Sequence, residues 1–203
     1  MTFRKILIAS LCAASFACQG EESLLIDEPL PPAKGWSLVG FALAPVRFMQ
    51  FPNVESDVHG LGIGLTAGHN RQVNGIDIAA FANWAEGEIN GIACSGIANS
   101  CSGATFAIHL APVINYSSGR LNGMQISTVN SAYGVNGFQA GLVNYMLEGG
   151  GFQIGLFNVA ETFRGLQIGL ANMAMNCSGV QIGICNIIGE SPLTACVFFN
   201  AWF

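Results

Sequence analysis

The chain has 203 residues, of which 51% are hydrophobic and only 9% charged, against roughly 25% charged in ordinary soluble domains. That shortage excludes a conventional charged skin over the whole surface. Acidic residues outnumber basic ones and the formal net charge is −5, which excludes nucleic acid as a partner, since phosphate backbones demand a basic footprint.

Residues 1–17 read as a secretory signal peptide. Arg4 and Lys5 precede the apolar run ILIASLCAASFA, with small residues ahead of Cys18, and this layout predicts export. Ser15-Phe16-Ala17-Cys18 also loosely resembles a lipoprotein cleavage box, in which Cys18 would be acylated and would anchor the chain to a membrane. Cleavage after Ala17 by the ordinary signal peptidase is the competing reading. Residues 18–35 are acidic and carry three prolines, the composition of an extended linker. No later stretch reaches the 18 or so uninterrupted apolar residues of a membrane-spanning helix, so any membrane-embedded state must be built from strands.

Residues 36–203 read as one β-repeat domain. WSLVGFALAPVRFMQF alternates through Val39, Phe41 and Leu43 until Pro45, which cannot donate to a ladder. In GLGIGLTAG, from Gly60, Leu61, Ile63 and Leu65 stand opposite Gly62, Gly64 and Thr66. A phosphate-binding glycine loop would need a following helix, and none is indicated. GIDIAAFAN (75–83) and GIACSGIAN (91–99) are one residue longer than the units that follow, which predicts β-bulges. GATFAIHLAPVIN, from Gly103, sets Phe106, Ile108 and Leu110 on one face and His109 on the other.

From Gly123 the repeat is strict. GMQISTVN, GFQAGLVN, GFQIGLFN, GLQIGLAN and GVQIGICN begin at Gly123, Gly137, Gly151, Gly165 and Gly179, fourteen residues apart. In GLQIGLAN, Leu166, Ile168 and Leu170 fall on one face of an extended chain, and Gln167, Gly169 and Ala171 on the other. The period is two and the closing Asn supplies turn chemistry, so each unit is about one strand and one turn.

Two architectures satisfy this grammar. An antiparallel up-and-down β-barrel of about 10–12 strands would turn the large apolar face to lipid, with Asp77 and the series Gln125, Gln139, Gln153, Gln167 and Gln181 facing the lumen. A β-solenoid with 14-residue coils would stack identical residues in parallel ladders, with the large apolar face in a narrow core. Composition favours the barrel. Its fixed charges beyond His59, namely Arg71, Glu86, Glu88, Arg120, Glu148, Glu161, Arg164 and Glu190, then fall in turns, with Asp77 alone inside a strand. Trp84, Tyr116 and Tyr145 each follow a repeat Asn and, with Trp202, suggest an interface girdle. The last segment, SPLTACVFFNAWF, sets Val197, Phe199 and Phe203 on one face and resembles the terminal strand of outer-membrane barrels.

Candidate chemistry is sparse. His59, His69 and His109 lie in different repeats with no carboxylate or nucleophile beside them at useful spacing. Glu86 and Glu88 share a turn. Cys94, Cys101, Cys177, Cys185 and Cys196 show no metal-ligand spacing, although export permits a Cys94–Cys101 bridge. No catalytic, cofactor-binding or metal-binding residue is assigned, no cofactor is expected, and the chain is not read as an enzyme. The Gln series would line a narrow aqueous path or form a buried amide network.

The GLQIGLxN units, preceded by GHNRQVNGIDI and closed by VFFNAWF, resemble the bacterial surface-repeat proteins of spirochetes and other Gram-negative bacteria, from about Gly60 to Phe203. The resemblance implies a cell-surface or outer-membrane location and brings no catalytic residue or substrate. The expectation is an outer-membrane or surface protein, structural or a narrow passive pore, with membrane lipid and a surface or host ligand as partners. The alternative is a secreted or lipid-anchored solenoid serving adhesion or surface interaction.

Overall fold

The computed structural model describes residues 31–43, 50–53, 55–102 and 106–203. The predicted signal peptide, Cys18, most of the 18–35 linker, the segment from Ala44 to Met49 and the start of the Gly103 unit lie outside the described residues. Every regular element among the described residues is a strand.

The strands run parallel. Val129–Ala140 pairs with Val143–Ile154, which pairs with Phe157–Ile168, which pairs with Ala171–Ile188, and every residue faces its counterpart fourteen positions on. Each coil holds a short ladder (Val143–Met146), a bend at Leu147, a long ladder (Glu148–Ile154) and a turn at Gly155 and Leu156. About eight such coils make a β-solenoid. The antiparallel barrel is therefore corrected. Hairpins would place neighbouring repeats in mirrored order, whereas a coil sets Asn over Asn and Gln over Gln, where identical amides satisfy one another.

The N-terminal coils are longer. Asn83, Asn99 and Asn115 stand sixteen residues apart. The extra residue of GIDIAAFAN enters the turn at Ala80 and Phe81, outside the strands Gln72–Ala79 and Ala82–Ala85, so the bulge expected there is absent. A turn at the outer corner takes an added residue without disturbing the ladders. Register irregularities occur instead between Ser37 and Val39, Ser117 and Arg120, and Gly183 and Asn186.

The faces of the coil are opposite to those expected for a solenoid. The large apolar residues of GLQI point outward, and the amides and small residues point in. Three inward columns fill the core. Asn83, Asn99, Asn115, Asn130, Asn144, Asn158 and Asn172 form one; in each the side-chain Nδ2 donates to Oδ1 of the next, ending on Asn186, at 2.8–3.2 Å. In the strict coils each Asn also donates to a carbonyl at the end of its own long ladder, as Asn144 does to Ile154 at 2.9 Å, which ties the turn shut. Gln139, Gln153, Gln167 and Gln181 form the second, each donating Nε2 to Oε1 of the preceding Gln. These Gln and Asn side chains are fully buried.

The third set is apolar and adjusts its volume coil by coil. Ala132 shares its coil with Val135, Met146 with Gly149, Ala160 with Phe163, and Ala174 with Cys177. The large members, Met146 and Phe163, fall in neighbouring coils, each beside a small partner in its own coil. Gly155 is required by close approach. A Cβ there would stand 2.4 Å from the Gly141 carbonyl oxygen and 2.6 Å from Asn144 Nδ2.

An antiparallel strand lies at each end, over two residues of the first long strand and over most of the last coil. Gln50–Phe51 pairs with Phe41 and Ala42, and Ala195–Trp202 lies antiparallel on the last coil with Asn200 against Gln181. The last segment is thus a cap, where a barrel's closing strand was expected.

Candidate functional site: an apolar edge and a polar edge

The turn and the bend are the two ends of each coil, because the long ladder runs from bend to turn and the short ladder back again. Their chemistry differs. Along the turn edge stand Leu65, Phe81, Ile97, Val113, Thr128, Leu142, Leu156, Leu170 and Ile184, the apolar ones each 40–59% exposed. Their backbones stack through bonds such as Leu156 N–H to the Leu142 carbonyl at 3.0 Å.

Two further outward columns flank this edge on the long ladder. One runs from Val39 through Ile76 and Phe152 to Val180, the other from Phe41 through Ile78 and Ile154 to Ile182. On the short ladder, the column from Ala67 to Ala171 is likewise apolar, with Val143 and Phe157 among its members. Among the described residues, no Asp, Glu, Lys or Arg stands in any of these columns. With strands about 4.8 Å apart, the ten parallel strands of the long ladder carry the apolar surface over roughly 45 Å.

Trp84, Tyr116 and Tyr145 share one outward column of the short ladder, with Ser100 and Ser131 between them. They do not form a girdle at two ends of a barrel; they form a single row beside the apolar edge. His69 begins that row, its ring centroid 5.7 Å from Trp84 and its Nε2 3.2 Å from Glu86.

The bend edge is polar. Arg71 pairs with Asp57 at 2.5 Å, and Arg120 pairs with Glu148. Glu88 accepts from Asn90 at 3.2 Å, Asn90 donates to Asn74, and Asn136 donates to Asn122. Gly134, Gly149 and Gly150 leave a shallow groove of about 400 Å³ at this edge, bordered by Arg120, Glu148 and Arg164. His59 belongs to the same edge, its Nδ1 3.4 Å from Asn74 Nδ2.

The Gln column ends at His109. Asp77, Ala93 and His109 continue it toward the first coils, through Gly62 to Gly40. Asp77 is 1% exposed, and burial pushes its carboxyl up to about 6 against a lowering hydrogen bond from Asn70. Burial pushes His109 down to about 4. Neither His109 ring nitrogen has a hydrogen-bond partner, and the facing Gln125 Nε2 has none either. His109 is a core residue, 0% exposed. The Gln series does not line a lumen.

The described cysteines are free. Cys94 points outward in the apolar column and Cys101 points inward, donating to Ser117 Oγ at 3.2 Å, so the bridge between them does not form. Burial pushes Cys101 up to about 12 and Cys177 up to about 11, away from the reactive thiolate. No group of three or more His, Cys, Asp or Glu side chains suited to a metal ion occurs among the described residues.

The Asn column is the feature sequence reasoning missed, because each Asn reads locally as a turn residue. Its signal was the constant spacing of Asn130, Asn144, Asn158, Asn172 and Asn186, in phase with the Gln series. Compared with known proteins, the chain matches no family model, no curated protein and no solved structure.

Proposed function

We propose that this chain is an exported, non-catalytic β-solenoid of the bacterial cell surface that acts by noncovalent contact through its outward side-chain columns. The observation that carries this reading is the apolar turn edge with its flanking columns, uncovered along the length of the solenoid. Contiguous apolar patches on monomeric proteins rarely exceed a few hundred Å², and larger ones mark interaction surfaces. The signal-like N-terminus and the resemblance to surface-repeat proteins support the same location. A passive pore has no support in this geometry, because paired amides and close-packed apolar groups fill the interior. Nor does the arrangement favour catalysis, since Asp77 and His109 are each buried and stand two strands apart, and the polar edge holds no convergent acid, base and nucleophile among the described residues.

The test is fractionation of a Gram-negative host expressing the full chain. The reading expects export, recovery with the cell envelope, no change of gel mobility on boiling and no conductance in planar bilayers. Replacing Leu142, Leu156 and Leu170 with Glu should release the protein as a soluble species. Wild-type chain recovered wholly in the soluble exported fraction, indistinguishable from that variant, would sink the reading.

A further inference from the structure

We infer that the partner of the apolar edge is the hydrocarbon of a lipid monolayer, into which the turn edge inserts while the bend edge stays in water. This rests on the surface-contact reading and goes further by naming the occupant. Three observations select lipid over a second copy of the chain.

The first is shape. Gln153 from the long ladder and Asn144 from the short ladder point into the same core, so the outward sides of the two ladders point away from each other. Phe152 and Ile154 lie on one flank, Val143 and Phe157 on the other, and Leu156 and Leu170 on the edge between them. A rigid partner laid against one flank would leave the other wet. A fluid phase covers both flanks and the edge.

The second is the separation of charge. Arg120, Glu148, Glu161 and Arg164 lie at the bend, the far end of the coil, so insertion of the turn edge carries no fixed charge of the described residues into hydrocarbon. The third is the row of Trp84, Tyr116 and Tyr145 beside the apolar columns. Rings with one polar atom favour the depth at which hydrocarbon gives way to headgroups. The same partition of apolar and charged faces holds amphipathic helices in the plane of a bilayer. Here a rigid stack of coils supplies it, with no cation at the contact among the described residues, so zwitterionic lipid suffices.

The experiment uses the full chain carrying Cys18→Ser, so that no acyl group contributes, with vesicles of phosphatidylcholine and phosphatidylethanolamine. The expected result is co-flotation that is insensitive to salt, because screening acts on charges and none of the described ones lies at the contact. Leu156→Glu with Leu170→Glu should cut the bound fraction by about tenfold or more, while Glu161→Gln should leave it unchanged. Both leucines are outside the core, and an unaltered circular dichroism spectrum verifies that the fold survives. For a second readout, Trp36, Trp84 and Trp202 are replaced by Phe and a single Trp is placed by Leu156→Trp or by Glu161→Trp. Brominated lipid should quench the first and spare the second. A stable dimer in solution that ignores vesicles would overturn the lipid inference and leave the surface-contact reading standing. A monomer that ignores vesicles and stays soluble in cells would overturn both.

Discussion

His109 occupies the position in its coil that Gln occupies in every coil after it, and the substitution leaves three nitrogens in the core without partners: both of its own and Nε2 of Gln125. A buried donor without an acceptor costs about 1–3 kcal/mol. His109→Gln should extend the amide column by one member and raise the melting temperature, with a stabilisation of about 1–3 kcal/mol. The converse change, Gln153→Leu, would strand Gln139 Oε1 and Gln167 Nε2 and should destabilise by about 2–5 kcal/mol in urea denaturation. A solenoid with these amides on its surface would tolerate that change.

Asp77 and His109 also set opposing pH dependences. The folded-state carboxyl of Asp77 is raised from 3.8 to about 6, so its relative contribution to stability is full below pH 3.8 and is lost as pH rises through about 6. The imidazole of His109 is lowered from 6.5 to about 4, so its contribution is full above pH 6.5 and is lost as pH falls through about 4. Each shift corresponds to about 3 kcal/mol, and over the shared window the two slopes nearly cancel. Asp77→Asn should expose the His109 slope, with stability falling on acidification from pH 6.5 to 4. His109→Gln should expose the reverse slope from Asp77. Unfolding free energies across that window, measured for both variants, give the signs directly.

At the scale of the coil, the fold is nearly a one-dimensional array, since each coil contacts its two neighbours and little else. Deleting residues 129–142 removes one whole coil, brings Asn115 against Asn144 and Gln125 against Gln153, and keeps Gly149 next to a large neighbour in Leu121. The shortened chain should fold with the same circular dichroism per residue. Deleting 136–142, half a coil, should abolish cooperative unfolding, because the long ladder of one coil would then meet the short ladder of the next.

The coil is also where the sequence is most and least informative. Alternation such as Leu166, Ile168 and Leu170 against Gln167, Gly169 and Ala171 reveals a strand and its two faces, and the spacing of the units reveals one coil. Alternation does not say which face is inside. Gln is ordinarily a surface residue, and it enters this core only because an identical Gln lies above and below it, a condition that exists once the strands are parallel and in register. The structure accordingly joins the sidedness expected of a barrel, apolar out and amide in, to the connectivity of a solenoid. His109 shows the same limit. Its burial follows from the column it joins, and nothing in its own segment betrays that.

Over the whole molecule, the antiparallel caps decide that the array is finite. The open face of the last coil would otherwise offer unpaired N–H and C=O groups along an entire strand, a template for another chain. The segment Ala195–Trp202 covers that face. Removal of residues 189–203 should therefore yield dimers joined through the exposed last coil, their population growing with concentration and visible by light scattering, while the intact chain does not pair this way.

The two amide columns run in opposite senses. In the strict coils Asn130, Asn144, Asn158 and Asn172 pass their N–H toward the C-terminal coil, and Gln139, Gln153, Gln167 and Gln181 pass theirs toward the N-terminal coil. Aligned amide dipoles add along a stack as they do along a helix, so one column alone would accumulate a growing electrical polarity with each added coil. Two opposed columns cancel it. Lengthening by duplication of a fourteen-residue unit thus carries no mounting electrostatic penalty, and a gene for this protein can gain or lose coils, changing the reach of the molecule without changing the chemistry of its edges.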